Sequence, residues 1–237
     1  MKKKETSITF LEQFIPEGTF EMIAPFFKKN TIYLTLTHER KSVMGDYRAP
    51  MPDAPFHRIS INANLNAYSF LITLLHEIAH LLTFEHFKDS VSPHGKEWKT
   101  QFRHILIPFI GKHIFPADVE KVLQDYLRNP AASTCTSPSL YKALYAYDEK
   151  KSGYKLVDDI QINNFFETEN GKLYQKIEQL RTRCKCRELS SGKMFYFQGI
   201  IEVKAVAGKQ LVVNSKRSTP VPEPVIPNGL TLSSRSW

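Results

Sequence analysis

The stretch Leu71 to Leu82, read LITLLHEIAHLL, constrains this chain more than any other, because it sets His76, Glu77 and His80 inside an apolar run. At helical spacing, residues four apart share a face about one turn from each other, so His76 and His80 can grip one metal ion with Glu77 beside them. Thr73, His76, Glu77 and His80 form a polar stripe flanked by Phe70, Leu71, Leu74, Leu75, Ile78, Leu81 and Leu82. Burying unpaired imidazoles and carboxylates costs roughly 1–3 kcal/mol each, so the stripe needs a partner. A zinc ion (Zn2+) with a bound water is one answer. The plainer alternative is two hydrogen-bonded core histidines, with Glu77 exposed at the end of the helix.

The chain around this stretch has 237 residues and 42% apolar content, enough for a packed core. No apolar run approaches the roughly 20 residues of a membrane span, and none of signal-peptide length follows the lysines of MKKKETSITF, so a cytoplasmic protein is expected. Cys135, Cys184 and Cys186 are an odd number and point to reduced thiols rather than a disulfide framework. Lys plus Arg number 32 against 24 for Asp plus Glu, and the resulting +8 makes nucleic acid a candidate partner.

In chain order, Ile8 to Ile15 and Thr19 to Lys29 read as helices broken at Pro16. Thr31 to Thr37 alternates as a half-buried strand, with Ile32, Leu34 and Leu36 on one side. Lys41 to Arg48 reads as a turn into a second strand, and Phe56 to Asn62 as a third. Asn64 or Asn66 can cap the long helix that follows, and Glu85 to Asp89 can end it. Ser92-Pro93 predicts a further helix with proline in its first turn, whose inward face carries His94, Trp98, Phe102 and Ile105.

Ala117 to Arg128 and Ser139 to Tyr147 predict two more helices. From Gly153 to about Asn214 the signals are strands, with a hairpin at Asn170-Gly171 and further strands at Met194 to Phe197 and Leu211 to Val213. Ser215 to Trp237, with prolines at 220, 222, 224 and 227, reads as a disordered tail. The organisation expected is therefore 1–150 as a core, 151–214 as a small β-rich unit packed on it, and 215–237 as the tail.

A catalytic zinc keeps three protein ligands and one open position, so a third ligand is required. His86 would extend the motif to H-E-x-x-H-x-x-T-x-x-H, but Thr83 stands where the metzincin pattern has a turn-forming glycine, and Leu81, Leu82 and Phe84 favour continuing the helix. Glu85 points well off the metal face. His94, at the start of a new helix and beside its positive end, is preferred to His86.

His76-Glu77-Ile78-Ala79-His80 followed by Pro93-His94-Gly95-Lys96-Glu97-Trp98 resembles the SprT-like zinc metallopeptidases, relatives of the Spartan proteases that degrade proteins crosslinked to DNA. The resemblance continues through Gly45-Asp46-Tyr47-Arg48, His57 to Asn62, Asn129-Pro130 and Arg181-Thr182-Arg183, covering most of residues 5 to 206. It implies zinc held by His76, His80 and His94, Glu77 as general base, and a zincin-like core with the active-site helix under a short sheet. The fold class expected is α+β, with the small C-terminal β-rich unit added and a short sheet that contains antiparallel pairing.

Several members of that family end in a zinc ribbon of paired cysteines. This chain has Cys184-Lys185-Cys186 and no C-x-x-C, which argues against a second, structural zinc. As a strand, Arg181 to Arg187 places four cations on one face and both cysteines on the other, the latter as buried thiols.

The activity implied is peptide hydrolysis, with Glu77 deprotonating a zinc-bound water. An extended substrate would add a strand at an exposed sheet edge, with Phe56 to Asn62 as the candidate, and Tyr47 or Tyr68 would steady the oxyanion. Two other readings stand beside it. One is a peptidase that acts only when tethered to DNA, and the other is a metal-binding interaction module without peptidase activity.

Overall fold

The computed structural model describes residues 7–40, 43–130, 137–149 and 152–206. The chain divides into two compact units, Met1–Ser152 and Gly153–Trp237, and the whole is α+β.

The first unit begins with a short 3-10 helix, Ile8–Gln13, and α1, Phe20–Lys29, on either side of Pro16. Three strands follow: β1 (Ile32–Thr37), β2 (Gly45–Arg48) and β3 (His57–Asn62). They form one sheet in the order β1-β3-β2, with β1 parallel and β2 antiparallel to β3. Ile59 pairs with both Leu34 and Tyr47. The expectation that Phe56 to Asn62 offers an exposed edge is therefore overturned. His57, Ile59, Ile61 and Asn62 are buried, and a strand so largely buried belongs in the middle of a sheet. The edges are β1 and β2.

Helix α2, Ala67–Phe87, runs through the middle of the unit. Asn66 is its cap, the side-chain oxygen accepting from Ser69 N at 2.9 Å, while its amide nitrogen donates to Leu144 O at 3.0 Å. Phe70, Leu71, Leu74, Leu75 and Ile78 are fully buried, as befits a helix apolar on nearly every side. By length and composition α2 could cross a membrane, but 72% of its apolar window is buried inside the fold, so it serves as a core helix.

Helix α3 starts at Lys96 and ends at Leu106, later than Ser92-Pro93 predicts. Two backbone features stop the helix from starting earlier. His94 has φ 58, in the left-handed region, and Gly95 is the N-cap in an extended conformation. Gly95 N–H donates to Ser92 O at 2.9 Å, and a Cβ at Gly95 would lie 2.9 Å from that same oxygen, so the turn needs glycine there. Trp98, Phe102 and Ile105 face inward as their spacing predicts, but His94 precedes the helix instead of lying in its first turn. Helices α4 (Ala117–Arg128) and α5 (Pro138–Tyr145) complete the unit.

The second unit is an antiparallel sheet of six strands: β4 (Tyr154–Leu156), β5 (Phe165–Glu167), β6 (Leu173–Gln179), β7 (Arg183–Glu188), β8 (Met194–Gln198) and β9 (Glu202–Val206). Their order is β4-β9-β5-β6-β7-β8. Asn170-Gly171 lies in the β5–β6 hairpin, with Gly171 at φ 77. Val157, Phe166, Tyr174, Cys184, Cys186 and Val203 form a core of their own, and both cysteines are free and buried.

Cys184 and Cys186 pair across the ladder with Phe197 and Phe195, while Arg183, Lys185 and Arg187 pair with Gln198, Tyr196 and Met194 on the other face. The alternation of cations and thiols thus holds from Arg183 onward. Arg181 falls in the β6–β7 turn, closed by Leu180 N donating to Arg183 O at 2.8 Å, and is not on the strand. Cys135, Leu211 to Val213 and the Ser215 to Trp237 tail lie outside the described residues.

Candidate metal centre

Helix α2 places His76 and His80 one turn apart, and the turn before α3 brings His94 back across them. His94 Nε2 lies 3.1 Å from His76 Nε2 and 2.9 Å from His80 Nε2. Three imidazole nitrogens bound to one tetrahedral zinc at 2.0–2.1 Å would be about 3.3 Å apart, so the triangle is close to the size of a coordination face. Burial, reinforced by the neighbouring imidazoles, holds His76 down to about 2 and His80 down to about 3, and burial also lowers His94. All three are neutral at pH 7. Neutral imidazoles with converging nitrogens are a donor set that fits zinc, because bare lone pairs this close repel unless a cation or proton lies between them.

Trp98, fully buried, backs the cluster. Its ring lies 4.6 Å from that of His76, 4.8 Å from His94 and 5.4 Å from His80, and it stacks on Phe102 at 5.1 Å. This packing limits the freedom of the imidazole rings. The left-handed φ of His94 is the kind of local strain, of order 1–3 kcal/mol, that a fold keeps where a side chain must be aimed.

Glu77 is buried rather than exposed at the helix end and faces β2. A Cβ at Gly45 would sit 2.5 Å from Glu77 Oε1 and 2.7 Å from Thr73 Cγ2, so only glycine lets the strand lie this close to the helix. Burial, with a smaller push from Asp46 and against the pull of Arg40, raises Glu77 to about 8. A dication among the three imidazoles would pull it back down.

The segment leading into β2 is held by Arg40. Its guanidinium donates to Asn62 Oδ1 at 2.9 Å and Ser60 Oγ at 3.0 Å, while Asn62 Nδ2 donates to Arg40 O and Val43 O, both at 3.1 Å.

Tyr47 lines the same cleft, its ring parallel to that of His80 with centroids 6.2 Å apart. Its hydroxyl bonds His57 Nδ1 at 2.9 Å, and His57 Nε2 lies 3.5 Å from Glu85 Oε1. With Nε2–H facing the carboxylate, Nδ1 accepts the Tyr47 proton, so the hydroxyl is already engaged. Tyr68, the other candidate for the oxyanion, packs against Tyr147 and Phe115 and does not line the cleft. His86 is exposed at the end of α2, with Nδ1 at 2.7 Å from Leu82 O, and Glu85 is engaged with His57 and Lys88, so neither joins the histidine cluster.

The cleft measures about 580 Å³ and runs along α2 from Thr73 to Lys88, between β2 and the segment from Asp89 to His94.

Residues 20–113, which contain the histidine cluster, Glu77 and both cleft walls, match the SprT-like family. Residues 20–113 belong to the SprT-like family. Within the chain, 44 residues are 48% identical to Protein SprT of Klebsiella pneumoniae (strain 342), covering 18% of this chain and 26% of that protein. The shared stretch thus spans about a quarter of the relative. No solved structure matches the chain. Within the SprT-like region, spacing alone pointed to His76, Glu77 and His80, whereas Gly45, Arg40 and the Tyr47–His57 pair reach the site only through the sheet. One signal was available for Gly45: a glycine opening a short strand marks close approach of another element.

Proposed function

We propose that the protein is a zinc-dependent endopeptidase with a zincin-like core, in which His76, His80 and His94 hold the metal and Glu77 is the general base. The observation that carries this reading is the convergence of three neutral imidazole nitrogens, His94 Nε2 lying within 3.1 Å of the other two, with a buried carboxyl on the same helix face. When bound, zinc supplies Lewis acidity, polarising a carbonyl and acidifying water.

The chain's own groups supply the rest. The outer edge of β2 offers backbone donors and acceptors to an extended peptide, which would lie along the cleft beside Glu77. Glu77 takes a proton from the water that attacks the peptide carbonyl and returns it to the departing amine nitrogen as the C–N bond breaks. The close approach of Gly45 excludes solvent from one side of that carboxyl. Tyr47, tethered to His57, shapes the wall.

The experiment is Glu77→Gln in the zinc-loaded protein, assayed on an unfolded protein substrate. Cleavage should fall by at least about 100-fold with zinc content unchanged. Undiminished cleavage with zinc retained would remove Glu77 from the mechanism, and a wild type that holds zinc yet cleaves nothing would favour an interaction module.

A second reading concerns where the peptidase works. Arg183, Lys185 and Arg187 share one face of β7–β8 with the exposed Tyr196, which pairs directly with Lys185. Cations interleaved with an aromatic ring suit a single-stranded nucleic acid, whose phosphates and bases they would meet. We propose such DNA contact as a tether. The free, buried thiols of Cys184 and Cys186 suit the reducing cytoplasm, where we place the protein.

A further inference from the structure

The two edges of the six-stranded sheet are unlike. β4 is three residues long and carries the exposed Lys155, a short, charged edge that does not invite another strand. β8 is the opposite. Its five residues, Met194-Phe195-Tyr196-Phe197-Gln198, hold no charge, no proline and no bulge, and among the described residues they pair with β7 alone. Met194 is 42% exposed and Tyr196 55%. An uncharged aromatic edge left open in this way is a template for a further strand.

The ladder says which backbone groups are open. Glu188 N donates to Lys193 O at 2.9 Å, so Glu188 and Lys193 continue the β7–β8 register as a hydrogen-bonded pair. Hydrogen-bonded and non-hydrogen-bonded pairs alternate along an antiparallel ladder, which makes Cys186–Phe195 and Cys184–Phe197 the next hydrogen-bonded pairs. Phe195 and Phe197 therefore turn their backbone groups to β7. Met194, Tyr196 and Gln198 turn theirs to the open edge, where Gln198 O accepts from Ile201 N at 3.2 Å and keeps a second lone pair.

The strand signal at Leu211 to Val213 lies too close to β9 in the chain to reach this edge. Measured along the sheet, the position beyond β8 is five strand spacings from β9, roughly 24 Å, whereas the steps from Val206 to Leu211 span at most roughly 18 Å. The prolines at 220, 222, 224 and 227 lack the N–H that a ladder needs. A second copy of the chain meets neither limit.

We propose that β8 is a self-association surface, two copies of the chain joining edge to edge, antiparallel about Tyr196, into one continuous sheet. A twofold axis at Tyr196 sets Tyr196 opposite its own copy and Met194 opposite Gln198, so every residue with open backbone groups meets another. Phe195 then falls opposite Phe197 and extends the apolar cluster across the join. A slip of two residues would leave Met194 or Gln198 unmatched. Such a pair closes on itself, whereas β8 joined to β4 of the next copy would run on head to tail. The cations of the two β7 strands stand three strand spacings apart, roughly 14 Å, beyond the screening length of roughly 8 Å at physiological salt. The proposal stands apart from the peptidase and DNA readings.

The test uses the full chain, followed by sedimentation and amide hydrogen exchange from about 1 to about 200 μM, the range suited to a small interface of micromolar affinity. The mass should rise from that of one 27.3 kDa chain towards that of two and stop there. Over the same range the amides of Met194, Tyr196 and Gln198 should gain at least about tenfold in protection, while those of Phe195 and Phe197 are protected throughout. A contact made through side chains does not give that alternation. Tyr196→Pro removes no bond to β7, since that N–H faces the open edge, and Tyr196→Lys sets two like charges on the axis. Both variants should stay monomeric at the highest concentration, with the Phe195 and Phe197 amides still protected as the sign that β8 is intact. A chain monomeric at every concentration overturns the proposal, and edge amides protected in that monomer would assign the edge to a segment of the same chain. Mass growing past the dimer would mean head-to-tail pairing, and a dimer undiminished in both variants would place the contact elsewhere. Either result overturns it too.

Discussion

His94 Nε2 sits 2.9 Å from His80 Nε2, although the two belong to different elements and lie fourteen positions apart in the chain. His94 reaches that place only because its own backbone is left-handed and Gly95 closes a tight turn behind it. The imidazole is aimed by a turn, and the helix after the turn supplies the wall through Trp98.

Replacing His94 with alanine should therefore lower zinc affinity by more than about 100-fold, beyond what loss of an outer partner gives. His86→Ala should leave the metal in place, since His86 is exposed and bonded to its own helix. Metal analysis of the two purified variants checks both. Zinc lost from His86→Ala alone would reverse the ligand assignment.

Gly45→Ala should hurt both stability and activity. The added Cβ would lie 2.5 Å from Glu77 Oε1 and 2.7 Å from the Thr73 methyl, so the strand must lift or Glu77 must turn away. Overpacking of this kind costs about 1–3 kcal/mol, and the displaced carboxyl should lower kcat more than it raises KM. Thermal unfolding together with peptide hydrolysis reads both effects.

The metal-free protein should be most stable near pH 6.5. Folded His76 and His80 stay neutral down to about 2 and about 3, whereas the unfolded chain takes up those protons below about 6.5, so stability falls as pH drops. Glu77 acts in the opposite sense. Its folded value of about 8 means that the native state keeps a proton which the unfolded chain gives up above 4.5, and this contribution is lost as pH rises towards 8. Between 4.5 and 6.5 the histidines outnumber the carboxyl, and above 6.5 the carboxyl acts alone. Melting temperatures across this range in a chelator give the curve. A flat profile would show that these groups are not buried as described.

Nucleic-acid binding by the second unit predicts a salt dependence. Arg183→Ala with Arg187→Ala should weaken binding of single-stranded DNA and reduce the salt slope by about 0.7 for each phosphate that is no longer neutralised. Tyr196→Ala should cost about 1–3 kcal/mol of affinity with the slope nearly unchanged, because stacking releases no counterions. Fluorescence anisotropy at several salt concentrations separates the two. Wild-type affinity insensitive to salt would remove the tether.

Much of the site was legible because its spacing is local. His76, Glu77 and His80 follow from helical periodicity, the α2 cap from Asn64 or Asn66, of which the structure uses Asn66, and the hairpin from Asn170-Gly171, each set within a few residues. The parts that were not legible depend on long-range pairing. Nothing local in Phe56 to Asn62 says that Leu34 lies on one side and Tyr47 on the other, so a central strand reads like an edge. Pro93 is a sound helix opener, and its signal was overridden by the left-handed His94 and Gly95 that aim the imidazole. Tyr47 could be placed near the site, but its tether to His57 exists only once β2 and β3 pair.

The wall behind the three histidines also makes the candidate centre optically visible. The chain has two tryptophans, Trp98 and Trp237, and Trp98 lies within 5.4 Å of all three imidazole rings. In a Trp237→Phe background Trp98 becomes the single tryptophan, whose emission should be quenched when cobalt(II) enters the centre and recover as excess zinc displaces it. Occupancy can then be followed continuously in unlabelled protein, independently of any substrate.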